Sequence, residues 1–227
     1  ILVLEFTNFN TKELERENLV LAGLLESDKE QYEQAKKDME KINIRYHDLK
    51  QQYTKATEEE RKKLEEEMNE LNLRYFTGNK AVDITLTQKA ILCNKSGIQM
   101  VCSADGSCLN RMKHYHIYSM LGNALDNAIE CLCKVSDPEK KVITLDIHKE
   151  KNMAVIRVEN YIPNQPEYKD GSIVTTKSDD KEHGYGVKSI QNTAELYDGT
   201  AYTFVENEIF YLLITLPFSE NITLGEE

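Results

Sequence analysis

With 227 residues, 40% of them hydrophobic and 30% charged, the chain has room for one long helical module and one compact domain with a core of its own. Its formal net charge of −11 opposes nonspecific binding to nucleic acid or anionic lipid, so no nucleic-acid partner is expected. No run approaches the roughly 20 apolar residues that a membrane-spanning helix needs.

The chain opens on Ile1-Leu2-Val3-Leu4, too short for a span and without an initiator Met. It therefore reads as a fragment, with a sensor or membrane region expected upstream. Residues 1–20 are expected to be a linker or coiled-coil remnant, and 21–76 a helical hairpin. From about residue 11 to 76 there is no Pro and only Gly23, and Glu, Lys, Gln and Leu dominate, a composition that favours long helix. Leu21, Leu25, Asp28, Tyr32, Ala35, Met39, Ile42, Tyr46, Leu49, Tyr53 and Ala56 alternate spacings of four and three. Asp28 is the one polar member of this stripe, which otherwise has the mark of a coiled coil or bundle helix. Leu64, Met68, Leu71 and Tyr75 repeat the pattern after Thr57-Glu58-Glu59-Glu60, where Thr57 and Glu60 can form a capping box. Two such helices make a hairpin whose exposed stripe needs a partner, and a four-helix dimer supplies one.

Residues 77–219 alternate element types, and 220–227 form a tail. A helix is expected over 79–94, a strand over 97–102, a turn at Asp105-Gly106 and a helix over 113–134. Alternating strands follow at 142–149 and 153–160. Residues 161–183 are polar, with Pro163, Pro166 and Gly171, and such long loops in compact domains are usually functional lids or disordered. A helix over 186–197 and strands over 200–206 and 209–217 complete the order, which suggests a two-layer α/β sandwich. The five cysteines at 93, 102, 108, 131 and 133 form no CxxC pair, suit a reducing compartment, and are read as packing residues.

Three constellations carry chemistry. In Leu121-Gly122-Asn123-Ala124-Leu125-Asp126-Asn127, the two asparagines are four apart and share a helix face beside an apolar stripe. Polar groups placed there are awkward to bury unless something binds them, and an amide oxygen is a neutral hard ligand suited to Mg²⁺ that already carries phosphate oxygens and waters. An amphipathic helix with a solvated edge is the plainer reading. His183-Gly184-Tyr185-Gly186-Val187-Lys188-Ser189 ends the polar loop and starts a helix. Gly184 and Gly186 would let backbone approach an anion, and a helix N-terminus offers free N–H groups to phosphate. Thr175, Thr176 and Lys177 in the preceding loop are within sequence reach of the same phosphates, though a solvated loop explains them equally well. In Tyr46-His47-Asp48-Leu49-Lys50-Gln51-Gln52, Tyr46 and Leu49 occupy the stripe, so His47 and Asp48 point away from it. A neutral imidazole is a competent nucleophile near pH 7, and an adjacent carboxylate can hold the proton of the other ring nitrogen.

Taken in order, these motifs resemble the sensor histidine kinases with a GHKL-type ATP-binding domain, and most closely their quorum-sensing, peptide-sensing branch. Tyr46 to Gln51 looks like the H-box of that branch, and Thr77-Gly78-Asn79-Lys80-Ala81-Val82-Asp83 like the lead-in to its catalytic domain. Asn123 to Asn127 matches the N-box, and Gly184-Tyr185-Gly186 the second glycine box. The first glycine box, Asp-x-Gly-x-Gly, is absent, and Val158-Glu159-Asn160 stands where the adenine-reading Asp should follow its strand.

The resemblance implies an α+β chain: a helical hairpin forming a dimeric four-helix bundle, then a GHKL (Bergerat) sandwich. It implies ATP and Mg²⁺ as ligands, with Asn127 on the metal, Asn123 near the phosphates, Asn160 facing the adenine amino group, and Lys188 helping to hold the phosphates. Related ATP-hydrolysing proteins place a water-activating Glu where Asn123 stands, so transfer to a protein nucleophile is preferred over hydrolysis. The expected reaction is attack of His47 on the γ-phosphate, with Asp48 orienting the ring. Transfer to an aspartate of a response-regulator partner would follow, and Gln51 or Gln52 would position water for its dephosphorylation. The implied setting is a homodimer, cytoplasmic, as part of a membrane-bound bacterial protein. A GHKL-fold ATPase without phosphotransfer, a degenerate kinase acting as a coiled-coil scaffold, and a protein-serine kinase of the same fold are the rivals.

Overall fold

The computed structural model describes residues 2–71, 74–163, 168–169, 172–173 and 185–217. Helix α1 runs unbroken over Leu2–Tyr53, so no break separates residues 2–20 from the hairpin. Helix α2 covers Glu58–Leu71. At its start the Glu60 carboxylate accepts hydrogen bonds from both the backbone N–H and the hydroxyl of Thr57, each at 2.9 Å. This is half of the expected capping box, because the Thr57 hydroxyl is spent on Glu60. The hairpin closes over Leu49, which is fully buried, and Arg45 reaches across to Glu67 at 2.6 Å.

The expected second stripe stops at Leu71: Tyr75 lies beyond α2 and packs against the core of the following domain. That domain contains α3 (Lys80–Lys95), β1 (Gln99–Ala104), α4 (His114–Leu132), β2 (Val142–Glu150) and β3 (Met153–Tyr161). It continues with the short β4 (Tyr168–Lys169) and β5 (Ser172–Ile173), α5 (Tyr185–Leu196), β6 (Thr200–Glu206) and β7 (Ile209–Pro217). Asn79 starts α3 by accepting the N–H groups of Ala81 and Val82, as a short amide side chain does well at an N-cap.

The main sheet has the order β1-β2-β3-β7-β6, with β1 parallel to β2 and every other pair antiparallel. β6 and β7 meet in a tight turn in which Asn207 and Glu208 both adopt positive φ, the backbone that a two-residue hairpin requires. One face of the sheet carries the inward series Ile143, Leu145, Ile147 on β2 and Ala154, Ile156, Val158 on β3. Helices α3, α4 and α5 lie on that face and supply Leu86, Ile117, Leu121, Leu125 and Ile190 to the same core. The expected α+β sandwich is therefore present, with one layer of helix on one layer of sheet.

Part of the stripe on α1 goes elsewhere than expected. Tyr32 and Ala35 are only 6% and 2% exposed, and both belong to the core cluster of the sandwich, with Met39 packed at its border. The Tyr32 ring lies 5.9 Å from His114 and 5.8 Å from Tyr118 of α4, each tilted, and Lys29 stands over Tyr115. The single chain thus covers with its own domain a stretch that the heptad spacing assigns to a dimer seam. The physical reason is plain: an apolar stripe is buried by whatever complementary surface it meets, and α4 offers one.

Candidate functional site

The inward series of β3 ends on Asn160, which is 4% exposed and sits opposite Ile143 in the register with β2. A polar side chain in that row must find partners. Its Nδ2 donates to the Tyr161 carbonyl at 2.9 Å, leaving the amide oxygen as the acceptor on offer. The Cys131 thiol of α4 lies beside it, 3.6 Å from the same carbonyl and within hydrogen-bond reach of the Asn160 side chain. Burial raises the Cys131 pKa, so the group is a thiol at neutral pH.

Asn123, Asn127 and Cys131 recur every four residues and so form one line along α4. Helix α5 runs alongside its first part. The Asn123 Nδ2 stands 3.4 Å from the Ser189 hydroxyl. One turn further, Gly186 faces the Asn127 amide: a methyl built on it would stand 3.4 Å from both Oδ1 and Nδ2. Asn127 is exposed, and Asp126 beside it is held by Lys89 of α3, whose Nζ lies 2.7 Å from each carboxylate oxygen. The result is a polar track, from Ser189 and Asn123, past Gly186 and Asn127, to Cys131 and Asn160.

The structure brings together Asn123, Asn127, Asn160 and Gly186 in this way. Lys188 is exposed on the first turn of α5 without a hydrogen bond or ion pair among the described residues. Thr176, Lys177 and Gly184 lie outside the described residues, as does most of the polar loop. On α1, His47, Asp48 and Gln51 are all exposed, while Leu49 beside them is buried against α2. No hydrogen bond joins His47 to Asp48 among the described residues, because neighbours on a helix point about 100° apart. Cys131 and Ser189 were not singled out as site residues from the sequence. The signal for Cys131 was present, as the next step of the four-residue spacing after Asn127.

Three features test whether Mg²⁺ and a nucleotide fit. The Asn127 amide is open to solvent, the facing position has no side chain, and the buried Asn160 amide near the end of the central strand β3 keeps its oxygen available. Among the described residues no three His, Cys, Asp or Glu side chains converge to hold a metal, so a divalent ion would come with phosphate oxygens and waters as its other ligands. The donors fit such a group.

The arrangement is a one-sided sandwich with an asparagine-lined helix track facing a glycine at a helix start. Residues 112–217, a little under half of the chain, match the family model described as the GHKL domain (HATPase_c_5). A comparison with curated proteins gives no match. Among solved structures, the chain is similar to the nucleotide-free catalytic domain of histidine kinase ThkA, with 16% identity over 63% of this chain and 94% of that one, at a TM-score of 0.47. It is also similar to the Acinetobacter baumannii histidine kinase AdeS, with 13% identity over 71% of this chain and 80% of that one, at a TM-score of 0.44. No described helix is long and apolar enough to cross a membrane.

Proposed function

We propose that the chain is the catalytic part of a sensor histidine kinase, which transfers the γ-phosphoryl group of ATP to His47 and then to an aspartate of a response regulator. The observation that carries this reading is the track of Asn123 and Asn127 facing the start of α5, within a GHKL domain attached to a helix with an exposed His-Asp pair. ATP is the substrate. Its adenine would be read by the Asn160 oxygen, which the Tyr161 carbonyl orients by engaging Nδ2. Asn123, Ser189 and the N–H groups at the start of α5 would take the phosphates, with Lys188 close in sequence. Thr176, Lys177 and Gly184 keep the same assignment as a proposal. Asn127 would hold Mg²⁺, which when bound neutralises phosphate charge.

In the transfer step the lone pair of a neutral His47 ring nitrogen forms the N–P bond as the bond from the γ-phosphorus to the bridging oxygen breaks, and ADP leaves with that electron pair. The proton on the other ring nitrogen passes to solvent or to Asp48. No carboxylate stands at residue 123 to activate water, so the track favours a protein nucleophile over hydrolysis. Gln51, exposed one turn past His47, is assigned to positioning water when the regulator is dephosphorylated.

The reading includes a homodimer through residues 21–76, an ATP-binding unit over 77–219, and a cytoplasmic placement beneath a membrane sensor. Asn160 in place of an Asp, with the Thr77 to Asp83 lead-in, supports the peptide-sensing branch. The test is incubation with γ-labelled ATP and Mg²⁺, comparing wild type, His47→Gln and Asn127→Asp. Acid-labile, alkali-stable label confined to wild type is expected. Label of that kind on His47→Gln, or steady phosphate release indifferent to His47→Gln, would overturn the reading in favour of another acceptor or an ATPase.

A further inference from the structure

We infer that Cys131 is a positioning residue for base recognition: with the Tyr161 carbonyl it holds the Asn160 amide in the one orientation that accepts a 6-amino purine and turns away a 6-oxo purine. The inference rests on the kinase reading for the place where the base lies, and it names the group that sets base selectivity there. A carboxylate at residue 160 would offer acceptors whichever way it turned. An amide turned over exchanges its oxygen for its NH₂. With Oδ1 toward the base, Asn160 accepts from the amino group of adenine. With Nδ2 there, it would donate to the 6-oxygen of hypoxanthine or guanine. An asparagine therefore selects between the two purine classes only if something stops it from turning.

Two groups supply that stop. Along the sheet Asn160 has apolar neighbours, Ile143 of β2 and Phe210 of β7, which leave the amide indifferent to its orientation. The Tyr161 carbonyl, 2.9 Å from Nδ2, does not. A carbonyl only accepts, so turning the amide would set Oδ1 against a second oxygen in a site that is 4% exposed. From the helix layer Cys131 reaches the same carbonyl, its sulfur at 3.6 Å. Nδ2 and the thiol thus converge on one oxygen. The thiol spends its single hydrogen on that oxygen, and its sulfur is left to accept the second hydrogen of Nδ2. Burial keeps that hydrogen on the sulfur at neutral pH, so the thiol remains a donor. Carbonyl, amide and thiol form a buried polar ring that is satisfied in one arrangement and broken by turning the amide, and such a ring specifies its arrangement.

Cys131 is also one helical turn beyond Asn127, so the same face of α4 serves both ends of the nucleotide on the kinase reading. Sulfur is a weak hydrogen-bonding partner, and the carbonyl remains when it is removed. Loss of the thiol is therefore expected to lower selectivity several-fold without abolishing it.

The probes are Mg-ADP and Mg-inosine diphosphate, whose bases differ in the 6-substituent and the hydrogen on N1. Calorimetry on the full chain is expected to show a preference for ADP of roughly tenfold or more in wild type. Cys131→Ala should lower that preference several-fold. Cys131→Ser, which keeps a donor and an acceptor in place, should retain it. In the Asn160→Asp background Cys131→Ala should leave the preference unchanged, because no orientation is left to hold. A role in packing alone would move both affinities together, whatever stands at residue 160. A wild type without preference, an unchanged preference in Cys131→Ala, an equal loss in Cys131→Ser, or the same fall in the Asn160→Asp background would overturn the inference and leave the kinase reading standing. A wild type that binds neither nucleotide would overturn both.

Discussion

Gly186 faces the amide of Asn127 so closely that a single methyl on it would touch both ends of that amide, at 3.4 Å from Oδ1 and from Nδ2. That separation is tolerable packing, and alanine is a better helix former than glycine by about 1 kcal/mol. Gly186→Ala should therefore leave thermal stability unchanged or slightly raised. On the proposed reading, the added methyl would narrow the gap between Gly186 and Asn127 that the phosphates need. Calorimetric affinity for Mg-ATP is expected to fall about tenfold, roughly 1.4 kcal/mol. An unaltered affinity would place the phosphates elsewhere.

Lys89 pins the turn of α4 that carries Asn127. Its side chain is 15% exposed and grips both oxygens of Asp126, which is 45% exposed. Because Asp126 still meets water, removing its partner is not ruinous, and Lys89→Met should cost about 1 kcal/mol in urea unfolding. The exchanged pair Lys89→Asp with Asp126→Lys should recover part of that loss. Full stability in the single variant would show the ion pair to be incidental.

Gly199 is fixed by close approach. A Cβ there would run into the backbone oxygen of Thr215 and lie 2.6 Å from the Leu216 side chain, where the chain enters β6 beside the end of β7. Backbone cannot step aside as a flexible side chain can, so Gly199→Ala should cost about 2–4 kcal/mol and lower the melting temperature by several degrees. A melting curve that overlays wild type would contradict the close packing.

His116 of α4 predicts an acid-sensitive fold. It is 5% exposed, its Nδ1 lies 2.8 Å from the Tyr197 hydroxyl, and burial, with Lys113 and Lys29 adding to it, pushes its pKa down to about 4. The Tyr197 hydroxyl accepts the Lys113 N–H, so its own proton is available to a neutral Nδ1. In the unfolded chain the ring titrates near 6.5. The unfolded state therefore binds the proton first, and stability present above about pH 6.5 is lost as the pH falls from there toward 4. The loss is at most about 3 kcal/mol. His116→Gln, which keeps an acceptor for Tyr197, should flatten the stability profile over that interval, and an equally steep profile in the variant would exclude His116 as its source.

The site was legible where function depends on spacing along one element. Asn123 and Asn127 share a face because a helix repeats every 3.6 residues, and His47 is exposed because its neighbours Tyr46 and Leu49 define the packed side. Asn160 was reached only through the family resemblance, since the alternation of its strand marked where that strand ends and nothing more. The partners Ser189 and Lys89 were not legible, since each meets the track across a gap between elements, whereas Cys131 sits on α4 itself as the next step of the four-residue spacing. Ser189 is 66 residues from Asn123, and Lys89 is 37 from Asp126, separations that no local pattern reports.

Periodicity by itself determined that this chain has a long heptad-like helix, a second shorter helix, and an α+β domain with polar residues at chosen places on its helices. It also marked which face of α1 is apolar. What covers that face was decided only in three dimensions, where Tyr32 and Ala35 join the core of the chain's own sandwich. An apolar stripe states that water must be excluded but not by what, because hydrophobic burial has no direction; the choice belongs to the shape of the surface that arrives first and fits best.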